Sequence, residues 1–212
     1  MKVKICGAQT VEAAKAIEDA GADMIGFLFA ESKRRVTAEQ AEEIAAVLAP
    51  GIKKVGVFVN AAKEEIDRTV KRVGLDYVQL HGDEDAAFAE SIDAKIIKVF
   101  PNDSSHTFKE MFQFPADFIL IDSGTKNARG GTGQTFDWSN LDDENIEKDR
   151  LILAGGLNQD NVEAAYSEVG PYAIDLSSGA ETEGVKDPEK IEAVMQKIKG
   201  VVNDGENIQA AR

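Results

Sequence analysis

Short runs of β-branched and other apolar residues alternate with longer amphipathic stretches along almost the whole chain. The runs predict eight strands, at Val3–Gly7, Met24–Phe29, Lys53–Val59, Tyr77–His81, Lys95–Phe100, Phe118–Asp122, Leu151–Gly155 and Tyr172–Ser177. Between them, Val11–Ala20, Ala38–Leu48, Lys63–Val73, Asn161–Ser167 and Pro188–Val201 repeat apolar residues at intervals of three and four, the period of a helix with one buried face. Several helix starts are legible. Thr37 with Gln40 three residues on resembles a capping box, Asn158 is a candidate N-cap, and Asp187-Pro188 places a cap residue before a first-turn proline. Residues 102–114 and 123–149 are weakly periodic, so a shortened or missing helix 5 or 6 is expected there.

Strand–helix alternation without a long Gly/Ser linker predicts an α/β protein with a mostly parallel sheet. Eight strands favour a single-domain (β/α)8 TIM barrel over residues 1–202, with a polar, frayed tail over 203–212. An open doubly wound sheet is the alternative, but Gly7-Ala8-Gln9-Thr10 is not the glycine-rich turn that should follow its first strand.

Composition narrows the function classes. The 212 residues are 43% apolar, enough for a core, and no apolar run approaches the roughly 18 residues of a membrane span. The N-terminus enters a strand pattern with no signal segment, which together with a single cysteine predicts a soluble, cytoplasmic protein. A formal net charge of −14 disfavours nucleic acid and anionic membranes as partners. Acidic residues such as Glu39, Glu42 and Glu43 fall on faces that should meet water. Against that background, Lys33-Arg34-Arg35 and the acid-free stretch Ser123–Thr135, with Lys126 and Arg129, are places where an anion could be drawn.

In a parallel barrel the C-terminal ends of the strands converge on one rim, so polar residues there are candidates for chemistry. Cys6 ends the first strand, Gln79 and His81 the fourth, Asp122 the sixth; Gly155-Gly156 follows the seventh, and Asp175 to Gly179 closes the eighth. Ala154-Gly155-Gly156-Leu157 and Ser177-Ser178-Gly179 offer backbone N–H groups with little side chain in the way, at the loops where barrels commonly hold phosphate. Lys4 lies two residues before Cys6 on the same strand face, where its charge would favour a thiolate. Taken alone, Cys6 could equally be an inert core residue, and Asp122 a loop cap.

Together these residues resemble the phosphoribosylanthranilate isomerase family. Lys4-Ile5-Cys6-Gly7, Gly26-Phe27-Leu28-Phe29, Ser32-Lys33-Arg34-Arg35-Val36, Val55-Gly56-Val57-Phe58-Val59-Asn60, Val78-Gln79-Leu80-His81-Gly82, Asp122, Gly130-Gly131-Thr132-Gly133, Phe136-Asp137-Trp138, Ala154-Gly155-Gly156-Leu157 and Asp175-Leu176-Ser177-Ser178-Gly179 occur in the family's order. The resemblance implies an Amadori rearrangement of N-(5-phosphoribosyl)anthranilate, a small phosphosugar substrate, with no metal or organic cofactor. It maps Asp122 to the general acid, Cys6 to the general base, and Arg34 to the residue that holds the anthranilate carboxylate. The acid must hold its proton near neutral pH, for which Phe118, Leu120 and the substrate's own anions are the candidates. Many members carry proline before that arginine and an aromatic after it; Lys33 and Arg35 stand here instead, which leaves open how the three cations divide the work. His81 lines the site or serves as a structural hydrogen-bonder, and Asp175 either meets ribose hydroxyls or neutralises Lys4.

Two other functions compete. The aminoaldose isomerase of histidine biosynthesis performs the same rearrangement with two aspartates and two phosphate loops, but Cys6 occupies the first acid–base position and the loops after Asn60 and His81 lack paired glycines. A non-catalytic phosphate-ligand-binding barrel would not need both Cys6 and Asp122. Monomer and homodimer are both compatible with the sequence.

Overall fold

In a computed structural model of the chain, the structure describes residues 1–103, 105–122, 138–141 and 143–210, the side chains of 139 and 202–210 excepted. Eight parallel strands close into a barrel in sequence order: β1 (Lys2–Cys6), β2 (Met24–Leu28), β3 (Lys53–Phe58), β4 (Tyr77–Leu80), β5 (Lys95–Pro101), β6 (Phe118–Asp122), β7 (Leu151–Ala154) and β8 (Ala173–Leu176). Helices α1 (Val11–Asp19), α2 (Ala38–Ala46), α3 (Lys63–Val73), α4 (Ala86–Ser91), α5 (Phe108–Gln113), α6 (Val162–Val169) and α7 (Pro188–Ala210) connect them or follow the last strand. The strands read as apolar runs because both faces are buried, one against the helices and one inside the barrel.

Two-residue periodicity assigns each strand residue to one of these faces. Outward residues such as Ile5, Ile25, Phe58, Leu80, Ile119 and Ile174 join the helices' apolar stripes in one large core. Inward residues fill the barrel. Tyr77, Phe118 and Tyr172 plug its lower end, with ring centroids 5.9 Å apart for Tyr77–Phe118 and 4.7 Å for Phe118–Tyr172. Met24, Val55, Ile97, Leu120, Ile152 and Ala173 pack with this plug.

Carboxylates fasten the lower rim. The Asp23 carboxylate accepts from the Val3 N–H at 2.9 Å while the Asp23 N–H donates to the Val3 carbonyl, also at 2.9 Å. Asp76 makes the same two-point contact with Lys54, and Asp117 with Ile96. Each such residue precedes an even-numbered strand and grips the preceding odd one.

The predicted capping box of α2 is present, with Thr37 and Gln40 bonding reciprocally, and Asp187 caps α7 by accepting from the Glu189 N–H at 3.0 Å. Other expectations need correction. Asn158 does not cap α6, which starts at Val162; the Asn158 N–H instead donates to the Asn161 side chain at 2.8 Å, so a turn precedes the helix. The shortened or missing helix 5 or 6 is as expected: α5 spans only six residues, and between β6 and β7 the described residues hold a 3-10 turn at Ser139–Leu141. The polarity of 203–212 predicts a frayed tail, whereas the backbone of α7 stays helical through Ala210. Propagation from an already packed helix requires no new nucleus, which offsets the poor propensity of the added residues.

Candidate active site

The upper mouth of the barrel gathers Cys6, His81, Asp122 and Asp175, which end or follow inward-facing rows on β1, β4, β6 and β8. In the ring of strands β1 and β6 are separated by β7 and β8, so Cys6 and Asp122 address the mouth from different sides.

Lys4 is the hub beneath them. It is fully buried, lies in register with Asp175 across β1 and β8, and donates to Asp175 Oδ2 at 2.9 Å. Burial opposes the Lys4 charge, but Asp175 and the Cys6 sulfur outweigh it and hold the amine above the ordinary 10.5. Burial likewise lifts the Asp175 carboxyl, against the pull of Lys4. Of the two alternatives posed for Asp175, the structure shows the second: one oxygen neutralises Lys4, while the buried Oδ1 has no hydrogen-bond partner among the described residues.

Cys6 is buried beside this pair. Lys4 lowers its thiol as expected, through charge and a hydrogen bond, yet burial is the larger effect and the net shift is upward from 9.0. Room for the sulfur comes from Gly26, its register partner on β2, where a Cβ would lie 2.6 Å from Cys6 Sγ and 3.0 Å from Cys6 Cα. Gly26→Ala is therefore expected to displace the thiol, costing about 1–3 kcal/mol of stability by overpacking and a larger share of kcat. Thermal melts alongside steady-state kinetics test this; unchanged kcat would show that the sulfur's placement is not critical.

His81 is exposed at the mouth, yet loss of solvent around its ring lowers its basicity, and the nearby Asp122 only partly counters that. It is thus neutral at pH 7 and suited to hydrogen bonding. Its loop is held by Glu84, whose carboxylate accepts from the Gly82 N–H at 2.9 Å and the Asn60 N–H at 2.7 Å, and pairs with buried Lys98 at 3.0 Å.

Of the three cations in the loop after β2, only Arg34 turns to the mouth; Lys33 and Arg35 are exposed. The stem of Arg34 lies over Gly7 (φ +96°), where a Cβ would come within 2.7 Å of Arg34 Cδ. Its guanidinium is not open to solvent as a surface cation would be: Nε and Nη2 each donate to Glu181 at 2.6 Å, and this contact raises Arg34 further. Glu181 also pairs with Lys186 Nζ at 2.6 Å. Burial lowers Lys186 below the ordinary lysine value, against the hydrogen bond it donates to Glu181. Glu181 and Lys186 were not among the residues singled out above. They face each other in a hairpin, β9 (Glu181–Thr182) and β10 (Val185–Lys186), turned by Glu183 and Gly184 at φ 53° and 84°. Two residues including a glycine between short extended pieces are the turn signal that would have revealed it.

Gly155 and Gly156 follow β7 with φ of +96° and +65°, a backbone path that favours glycine. The loop after β8 packs just beyond them, so closely that a Cβ at Gly179 would sit 1.9 Å from the Leu157 carbonyl oxygen. The two expected phosphate loops, with Ser178 and Gly179 on the second, are therefore in contact. Lys126, Arg129, the glycines at 130, 131 and 133, Phe136 and Asp137 lie outside the described residues. Among the described residues no cluster of three or more His, Cys, Asp or Glu side chains could hold a metal.

Known proteins are similar to this chain in sequence and in fold. The family model described as N-(5'phosphoribosyl)anthranilate (PRA) isomerase matches residues 3–197. The chain is 48% identical over 202 residues to N-(5'-phosphoribosyl)anthranilate isomerase of Listeria monocytogenes, covering 95% of this chain and 100% of that protein. The crystal structure of phosphoribosyl anthranilate isomerase from Thermotoga maritima superposes with a TM-score of 0.84 at 38% identity, covering 94% of this chain and 99% of that one. A structure of the isomerase in complex with reduced 1-(o-carboxyphenylamino)-1-deoxyribulose 5-phosphate has a TM-score of 0.81 at 35% identity, over 94% of this chain and 99% of that one. With the eight-stranded barrel, the cysteine and aspartate at its mouth and the paired glycine loops already in place, these matches show that the chain belongs to the phosphoribosylanthranilate isomerase family.

Proposed function

We infer that this chain isomerises N-(5'-phosphoribosyl)anthranilate to 1-(2-carboxyphenylamino)-1-deoxyribulose 5-phosphate, with Asp122 as general acid and Cys6 as general base. The observation that carries the assignment of roles is the placement of an acid and a thiol on different sides of one mouth, the thiol two residues along β1 from a buried lysine paired with Asp175. Asp122 gives its proton to the ribose ring oxygen as the anilino nitrogen pushes, the C1'–O bond breaks, and an iminium forms. The Cys6 thiolate then takes the C2' proton, now acidified by the iminium, and the resulting enolamine tautomerises to the aminoketone. No cofactor is required by this sequence of proton transfers.

The remaining residues suit the substrate's other groups. Backbone N–H groups of Gly155, Gly156, Ser178 and Gly179 receive the 5'-phosphate. Arg34 holds the anthranilate carboxylate, Asp175 Oδ1 accepts from a ribose hydroxyl, and neutral His81 lines the cavity. All these residues come from one chain, so a monomer or each half of a homodimer would hold a complete site. No helix among the described residues is long and apolar enough to cross a membrane. A cytoplasmic location suits a free, buried thiol.

The test is to generate N-(5'-phosphoribosyl)anthranilate enzymatically and follow loss of its fluorescence on adding the protein, across roughly pH 6 to 10. The base acts when deprotonated and burial lifts it above 9.0, so kcat/KM should still be climbing as pH rises past neutrality. An unchanged profile in Cys6→Ser would exclude Cys6 as the base, and no turnover by the wild type would exclude the activity.

A further inference from the structure

A guanidinium offers two donor forks, Nε with Nη2 on its side and Nη1 with Nη2 at its end. Glu181 fills the side fork of Arg34 with both its oxygens, each at 2.6 Å, while Nη1 donates to nothing among the described residues. That leaves the end fork for a second carboxylate. Arg34 and Glu181 alone, however, would be a neutral pair, and an incoming anion would meet a cation already compensated with a like charge beside it. Lys186 alters this balance. It lies directly opposite Glu181 in the hairpin, its side chain is 1% exposed, and Nζ is 2.6 Å from the same Oε1 that Arg34 Nε engages. A further bond to the Ser177 carbonyl at 3.0 Å fixes it in place.

We propose that Lys186 is a specificity residue for the aryl carboxylate: it offsets Glu181, so that Arg34, oriented by Glu181, still presents a net positive charge and an open end fork to the substrate. The proposal rests on the reading that Arg34 holds that carboxylate. Glu181 acts as a positioning residue, through Arg34, and Lys186 supplies charge without touching the substrate. Such coupling is strengthened where groups are shielded from water, as Glu181 and Lys186 are.

Calorimetric titration with two probes tests it: the reduced product 1-(o-carboxyphenylamino)-1-deoxyribulose 5-phosphate, and the same compound lacking the carboxyl. Wild type should prefer the carboxylated probe by about 30-fold, as befits a charge-assisted bidentate contact. Lys186→Met should reduce that preference to about threefold or less, with weaker change for the probe lacking the carboxyl. The double variant Lys186→Met/Glu181→Gln, which restores the net positive charge, should regain much of the preference, something a merely structural role for Lys186 would not produce. If Lys186→Met does not fold, Lys186→Gln, which keeps a donor for Glu181, takes its place. Undiminished preference in the single variant, or no recovery in the double, overturns the proposal. Undiminished preference in Arg34→Met would instead show that the underlying reading of Arg34 is wrong.

Discussion

Cys6→Ser is expected to lower kcat by about 10²- to 10⁴-fold with KM changed little, because a group that acts only in the transition state is being removed. Serine keeps the shape of the side chain and fits the space opened by Gly26, but its hydroxyl does not ionise in the accessible pH range, so the C2' proton has no acceptor. Asp122→Asn should cause a loss of the same order for a different reason. The amide is the same size as the carboxyl and has no acidic proton to give the ring oxygen, so the ribose ring stays closed. Steady-state fluorescence kinetics on variants whose circular dichroism matches wild type will decide. Full activity in folded Cys6→Ser would leave the isomerase assignment in place and remove the base; the same result for Asp122→Asn would remove the acid. Combined, the two substitutions should cost less than the product of the single effects, since either alone stops the reaction.

Lys4→Met should have the largest effect on stability. Lys4 and Asp175 are a buried ion pair, with side chains 0% and 9% exposed. Methionine matches the stem of lysine and leaves the carboxylate without its partner inside the barrel, at a cost of about 3–5 kcal/mol. For a chain of this size that corresponds to a fall in Tm of roughly 10 °C or more. Lys4→Met/Asp175→Asn should recover part of the loss, because no unpaired charge then remains. The same substitution removes the positive charge that lowers the Cys6 thiol, so in the single variant the rising limb of kcat/KM should move to higher pH. A melt within about 2 °C of wild type would show that Asp175 finds another partner or a proton at little cost.

What could be read in advance follows from how local each signal is. All eight strands are legible because an apolar run and the turn that bounds it lie within a few residues, and every predicted strand overlaps an observed one within a residue or two at its ends. The box at Thr37 and the cap at Asp187 are likewise local. Helix α4 was not delimited and α5 was expected only as a shortened or missing helix, because six residues are too few to establish a period, although Asp85 caps the first and Thr107 with Glu110 forms a capping box on the second. Asn158 misled because a turn and a helix start use the same side-chain bond. In the site, Cys6, Asp122 and the glycine loops announce themselves by residue type at strand ends. The engagement of Arg34 by Glu181 does not, since the partners are 147 residues apart and only the closed barrel brings them together. The thiol's environment was half legible: Lys4 is two residues away, whereas the burial that outweighs it belongs to the whole fold.

The carboxylate fastenings at the lower rim join β1 to β2, β3 to β4 and β5 to β6. The equivalent position before β8 is Tyr172, which belongs to the aromatic plug, and across the β7–β8 seam only Ile152–Ala173 and Leu153–Ile174 are in register. The seam with the fewest registered pairs is the one whose two upper loops meet at Leu157, Asn158 and Gly179. An anion gripped by both loops would add a staple across a seam that is already closed, so that ligand occupancy would raise the resistance of that side of the cylinder to local opening.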